Sequence, residues 1–185
     1  MPKPTRGGRP FEVTGRQIVA RSGRFALRYD TARWPDGLEG GYSYLEAPSA
    51  AVIVPVREDG TTVLVSQWRH PWDEVSWELP AGTLEDGEDP LAGAQRELAE
   101  EAGLHAQTWE PLGTARGSAA VAMRFHLFLA RDLSDVPRSP EAYEQDMTLR
   151  SADLRAAIDE VVHGKIQHAA TAVALLRAAR ALRIL

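Results

Sequence analysis

Four carboxylates crowd one short stretch of the chain: Glu88, then Glu97, Glu100 and Glu101. Residues 82–104 read Gly-Thr-Leu-Glu-Asp-Gly-Glu-Asp-Pro-Leu-Ala-Gly-Ala-Gln-Arg-Glu-Leu-Ala-Glu-Glu-Ala-Gly-Leu. Pro90 suits the first turn of a helix and Gly103 its C-terminal stop. Between them Leu91, Ala94, Leu98 and Ala102 recur at helical spacing and predict a core face. Residues three and four apart share a helix face, so Glu97, Glu100 and Glu101 are expected to project together, away from that stripe. Like charges at this spacing destabilise an isolated helix by roughly 0.2–0.5 kcal/mol per pair. Glu100 and Glu101 also lie near the C-terminus, where the macrodipole disfavours anions. A hard divalent cation held by carboxylate oxygens offsets both penalties, and such ions bridge carboxylates to substrate phosphates. The chemistry indicated is metal-assisted cleavage of phosphate esters or anhydrides. The bland alternative is a solvated charged helix face. Arg96, adjacent in sequence but projecting differently, is placed to hold Glu88 or one of the helix carboxylates.

The elements that must position this stretch follow from apolar patterning. Arg16–Arg21 and Arg24–Asp30 flank Ser22-Gly23 and predict a hairpin, and Gly41–Ala47 predicts another strand. Ala50–Arg57 and Thr61–Trp68 are apolar, β-branched runs joined by Glu58-Asp59-Gly60, which predicts a second hairpin. Beyond the helix, Trp109–Arg116, Val121–Arg131 and Met147–Arg150 read as strands. Ala152–His163 and His168–Leu185 read as helices separated by Gly164. This order predicts a mixed α/β sandwich, in the α+β sense, rather than a regular βαβ alternation.

Bulk properties set the bounds. At 185 residues the chain holds one domain with a small N-terminal extension, divided here as 1–47 and 48–185. Hydrophobic content of 44% and charged content of 25% are ordinary for a globular protein. No cysteine is present, which excludes disulfides and thiolate metal sites. A net charge of -5 argues against nonspecific nucleic-acid binding, while a bound cation would still permit an anionic substrate. No apolar run reaches membrane-spanning length and no secretory h-region follows the basic N-terminus. The expectation is a cytoplasmic protein without membrane or nucleic-acid partners.

The carboxylate stretch resembles the Nudix box: Gly82, five residues, Glu88, seven residues, then Arg96, Glu97, Leu98, Glu100, Glu101, Gly103 and Leu104 in register. The resemblance implies a loop–helix–loop inside a Nudix-type α/β/α sandwich with a mixed sheet. It further implies hydrolysis of a nucleoside diphosphate linked to another moiety. Glu97, Glu100 and Glu101 would bind Mg²⁺ or Mn²⁺, with the backbone carbonyl of Ala81. Gly82 and Gly87 would let the loop approach metal and phosphates closely. Glu100, Glu101 and Arg96 fall in the catalytic set on this reading.

Outside the box, Gln67-Trp68-Arg69-His70-Pro71 and Trp77-Glu78-Leu79-Pro80-Ala81-Gly82 resemble the ADP-ribose pyrophosphatase branch of that family. So do His126-Leu127-Phe128-Leu129-Ala130 and the segment around Gly164-Lys165-Ile166. Arg69 is then a candidate for substrate phosphate or ribose, since guanidinium matches phosphate oxygens in a fork. Trp77 is a candidate for stacking on a base, against a core role. Glu78 is a candidate for substrate hydroxyls or for assisting the metal, against a structural ion pair. The branch places a catalytic glutamate on a downstream loop; Glu144 matches best, and Glu141 is second. It also builds a homodimer through an N-terminal sheet, for which Trp34 could supply an interface or stacking aromatic. One departure stands out. Gly117–Met123 lacks the Ser-Pro-Gly segment and nearby acid of the branch, which leaves another nucleoside diphosphate sugar or a dinucleotide open beside ADP-ribose. His163 and His168 read as surface or capping residues.

Overall fold

The computed structural model describes residues 8–139 and 146–185. By their contacts these form two compact units, one of Met1–Pro48 with Ser118–Met123, the other of Ser49–Gly117 with Arg124–Leu185.

The first unit is a four-stranded sheet in the order β1 (Glu12–Ser22), β2 (Phe25–Arg33), β3 (Glu39–Glu46) and β9 (Val121–Ala122). The expected hairpin is β1 and β2, turning at Gly23, and β3 continues it antiparallel. Phe11 stacks on Tyr42 at 5.1 Å, and Trp34 lies 5.2 Å from Phe11, so Trp34 belongs to an aromatic cluster of this unit.

The second unit carries the remaining elements. They are β4 (Ala50–Pro55), β5 (Thr61–Arg69), a 3₁₀ turn (His70–Trp72), β6 (Glu74–Glu78), β7 (Ala81–Thr83), α1 (Pro90–Ala102) and β8 (Leu104–Ala115). β9 (Val121–Ala122) belongs to the first unit; then come β10 (Phe125–Asp135), β11 (Thr148–Asp153), α2 (Leu154–Val162) and α3 (Ala169–Ala181). One sheet runs β7-β4-β10-β8 and a second β11-β5-β6. β4 and β10 pair parallel while their other partners are antiparallel, which makes the first of these sheets mixed.

All six residues of β4 are buried, and its alternation divides the core. Val52 and Val54 join Leu127, Leu129, Leu64 and residues of α2 and α3. Ala51 and Ile53 join Phe128, Ala130, Val63 and the α1 residues Ala94 and Leu98. Period-two side chains thus feed two apolar layers, with helices outside each. This is the α/β/α sandwich expected of the sequence.

Two strand expectations change. Ala50–Arg57 and Thr61–Trp68 do not form an extended hairpin. The Arg57–Gly60 turn closes, with the Gly60 amide donating to the Arg57 carbonyl at 3.0 Å. Beyond it only Val56 and Thr62 bridge, and β4 and β5 enter different sheets. Both edges of β4 are already taken, by β10 and β7, so β5 pairs with β6 and β11 instead. The single strand expected over Val121–Arg131 is also two. Val121 and Ala122 pair parallel with Leu45 and Glu46 of the N-terminal sheet, and β10 starts afresh at Phe125.

Candidate active site

α1 begins where Asp89 accepts hydrogen bonds from the Leu91 and Ala92 amides at 3.0 and 3.2 Å, with Pro90 in the first turn. It ends at Gly103, whose φ of 63° is the left-handed cap conformation. Both ends are where the sequence places them. The orientation of the glutamates is not. Glu97 is 6% exposed and Glu101 0%, and both share the buried side of the helix with Ala94, Leu98 and Ala102.

Buried carboxylates need donors, and the structure supplies them. Glu101 Oε2 accepts the Ala81 amide at 2.8 Å, and its Oε1 accepts Gln67 Nε2 at 2.9 Å. Ala81, expected to offer its carbonyl to a metal, therefore also fixes Glu101 through its N–H. Glu97 packs onto Gly82 so closely that a Cβ there would stand 1.9 Å from its carboxyl carbon. Gly82 is thus required by the close approach of Glu97. Gly87 differs: a Cβ there meets nothing within 4 Å, and its φ of 80° makes it a turn requirement rather than a close approach.

Arg96 holds Glu88 and the helix carboxylates, as its place in the sequence suggested. Its Nε and Nη2 donate to Glu88 at 3.1 and 3.2 Å, and Nη1 donates to Glu97 at 2.8 Å and Glu100 at 2.9 Å. The Glu88 hydrogen bonds, then Glu97 and Glu100, push the Arg96 pKa far above its ordinary value against the opposing effect of burial, so this charge is permanent. One guanidinium ties the loop to the helix and offsets the charge of three glutamates.

Among the described residues no three His, Asp or Glu side chains already stand in a ligating array. The donor chemistry nevertheless fits a hard divalent cation. Glu97, Glu100 and Glu101 offer only oxygens, and Glu97 and Glu101 are buried, with the Glu97 carboxylate packed against Gly82 of the neighbouring strand.

Arg69 and Glu78 meet as a fork: Nε to Oε1 at 2.7 Å and Nη2 to Oε2 at 2.6 Å. Glu78 is wholly buried while Arg69 is 35% exposed, so the pair opens to solvent on the arginine side. Trp77 carries Arg150 over one ring face at 4.6 Å, and Arg150 pairs in turn with Glu160 at 2.9 Å. That indole face is occupied from within the protein, and Trp77 also packs against the apolar core, the core role weighed for it. Glu144 and Glu141 lie outside the described residues. Gly117 remains in this unit, while Ser118–Met123 belongs to the N-terminal one.

Sequence reasoning missed two participants. Gln67 stands two residues before Arg69 on β5 and so on the same face, a period-two signal that was available. His168 lies 3.1 Å from Glu78 Oε2 through Nδ1, and nothing in the local sequence announces that contact.

A glycine strand, a capped helix with buried glutamates, and a three-layer sandwich together define a class of metal-using hydrolase, and residues 46–175 match the NUDIX domain model. The chain belongs to the NUDIX family. Within it, the chain is 38% identical over 162 residues to the ADP-ribose pyrophosphatase of Mycobacterium tuberculosis, spanning 84% of this chain and 77% of that protein. It is 31% identical over 151 residues to the ADP-ribose pyrophosphatase of Bacillus subtilis, spanning 80% and 82%. A crystal structure of an ADP compounds hydrolase shares the fold with a TM-score of 0.83 over 97% of both chains, at 19% identity.

Proposed function

We propose that this NUDIX hydrolase cleaves the pyrophosphate bond of ADP-ribose, giving AMP and ribose 5-phosphate, with Mg²⁺ or Mn²⁺ as cofactor. The observation that carries the reading is the placement of Glu97 and Glu101, both buried and both positioned by the strand residues Ala81 and Gly82, in the same unit as the half-open Arg69–Glu78 pair. The likeness to two ADP-ribose pyrophosphatases supports the substrate.

Each residue has a part on this reading. Glu97 and Glu101, with the Ala81 carbonyl, would be the main metal ligands, and Glu100 would share a second metal or a bridging water. When bound, the cation supplies charge neutralisation of the diphosphate and activation of a water. Arg96 keeps Glu88, Glu97 and Glu100 in a fixed array, which preorganises the site. Arg69 receives a substrate phosphate or ribose, oriented by Glu78. Trp77 borders the base. Glu144, or Glu141 in its place, orients the attacking water from the downstream loop.

The first unit supports a homodimer. Ile18, Val19, Phe25, Leu27, Tyr29 and Tyr42 are large side chains exposed on this small sheet, and a second copy of the sheet would cover them. A cytoplasmic location accords with the absence of cysteine.

The replaced Gly117–Met123 segment favours one alternative, a different nucleoside diphosphate compound. The test is kcat/KM across ADP-ribose, other nucleoside diphosphate sugars, dinucleotides and nucleoside triphosphates. ADP-ribose leading the series is the expected result. Another compound leading by tenfold or more would keep the chemistry and replace the substrate. Tight ADP-ribose binding without turnover would instead make the chain a ligand-sensing domain.

A further inference from the structure

The Glu101 carboxylate is held by Gln67 and the Ala81 amide, but its backbone lies in the last turn of α1, where carbonyls lack partners within the helix. That turn carries Glu100 and Glu101 and no basic residue, so the helix does not itself supply the cation that its negative end favours. Arg138 supplies one from 37 residues further on. Its Nε donates to the Glu101 carbonyl at 2.5 Å and its Nη2 to the Met147 carbonyl at 3.2 Å. The backbone leading to Arg138 is seated on the helix end. The Val136 amide donates to the Gly103 carbonyl at 2.9 Å. A Cβ on Gly103 would stand 3.0 Å from the Val136 carbonyl oxygen and 3.4 Å from Arg138 Cβ.

The second carbonyl leads back to the same carboxylate. Met147 is buried and precedes Thr148, the first residue of β11, which pairs with Ser66 of β5. The Thr148 amide donates to Ser66 Oγ at 3.1 Å, and the two hydroxyls lie 2.7 Å apart. The residue after Ser66 is Gln67, whose side chain returns to Glu101 Oε1. The contacts therefore close a circuit from the Glu101 carbonyl, through Arg138 and the β11–β5 pair, to the Glu101 side chain. The end of α1 cannot draw away from β5 without breaking an arginine bond. One planar guanidinium, bound to two carbonyls, thus sets the separation across which Gln67 reaches Glu101.

We propose that Arg138 is a positioning residue for the cation: it fixes the last turn of α1 against the β5–β11 pair, and so holds Glu101 where it can bind metal. The proposal rests on the reading that Glu101 is a metal ligand. It adds to the site a residue that lies outside the carboxylate motif and touches neither substrate nor metal.

The variants Arg138→Met and Arg138→Lys test it, with Glu101→Gln and Arg177→Met as references. Methionine keeps much of the stem and no donor, whereas lysine keeps the charge but not the fork. Arg177, on α3, also donates to two carbonyls, those of Leu112 and Thr114 at 2.9 and 3.0 Å, in the helix layer opposite α1. Mn²⁺ affinity is read without substrate from the spin-resonance signal of the free ion, and thermal midpoints are taken in chelator. R138M is expected to bind Mn²⁺ about tenfold more weakly than the wild type, and R138K about threefold. R177M is expected to lower the thermal midpoint and leave the affinity unchanged. Wild-type affinity in R138M, or in R138K should R138M not fold, beside a weakened E101Q would overturn the proposal alone. Equal loss of affinity in R138M and R177M would do the same, by marking a general loosening of the fold. Wild-type protein that binds no Mn²⁺, or E101Q that binds it as tightly as the wild type, would instead overturn Glu101 as a ligand, and the proposal with it.

Discussion

Gln67 Nε2 stands 2.9 Å from Glu101 Oε1, so a strand residue placed 34 positions earlier holds the carboxylate at the end of the site helix. With the Ala81 amide on the other oxygen, Glu101 is oriented from two directions before any ligand arrives. Gln67→Leu removes one donor from a wholly buried carboxylate, which costs about 2 kcal/mol. For a chain of this size that is a fall in Tm of roughly 4–8 °C. The same variant is expected to need more Mg²⁺ for half-maximal rate. Calorimetry and a Mg²⁺ titration check both, and a Gln67→Leu protein with an unaltered Mg²⁺ requirement would remove Gln67 from the site.

Gly82 and Gly87 should respond differently to alanine. At Gly82 the new Cβ would overlap the Glu97 carboxylate at 1.9 Å, so Glu97 must leave its place. Turnover of Gly82→Ala is expected to drop by about 100-fold or more, equivalent to about 2.7 kcal/mol of transition-state stabilisation. At Gly87 the space is open and only the positive φ objects, so Gly87→Ala should cost about 1–2 kcal/mol of stability and little rate. Equal loss of rate in the two variants would contradict the distinct reasons given for these glycines.

Arg96 should not tolerate lysine. Its fork reaches Glu88 with two nitrogens and Glu97 and Glu100 with a third, which one ammonium cannot reproduce. Arg96→Lys is expected to lose about tenfold in kcat, with Arg96→Met losing more. Steady-state kinetics decide it. A lysine variant at full rate would show that charge alone, not the fork, is needed.

Stability should depend on pH through His168. Burial pushes its pKa below the ordinary imidazole value, Arg69 adds to that, and Glu78 pulls the other way. The folded state therefore takes up its proton at lower pH than the unfolded chain. Stability from this group is complete above the unfolded pKa of about 6.5 and is lost as pH falls through that value toward the folded one. Urea titrations at pH 7.5 and 5.5 are expected to show a smaller loss for His168→Asn than for the wild type. An identical loss in both would assign the pH dependence to other groups.

The sequence made the helix and its glutamates legible because their signals are local. Asp89, Pro90 and Gly103 mark the ends, and the spacing of Glu97, Glu100 and Glu101 marks the chemistry. Their burial was not legible, since it depends on donors from Gln67 and Ala81 that only the tertiary fold supplies. The parting of β4 from β5 was hidden for the same reason: β10, some seventy residues on, claims the edge that a hairpin would have used. The transfer of Val121 and Ala122 to the N-terminal sheet rests on pairing with Leu45 and Glu46, far away in sequence. His168 read as a cap because its position is one, and its actual contact, with Glu78, spans two distant segments.

The most direct measurement is product analysis of ADP-ribose incubated with wild-type protein and with Glu101→Gln, each in Mg²⁺ and in chelator. The account requires AMP and ribose 5-phosphate from the wild type in Mg²⁺ alone, with Glu101→Gln slower by about 100-fold or more while still folded. Cleavage that persists in chelator, or a Glu101→Gln protein near the wild-type rate, would contradict metal-dependent hydrolysis at these glutamates.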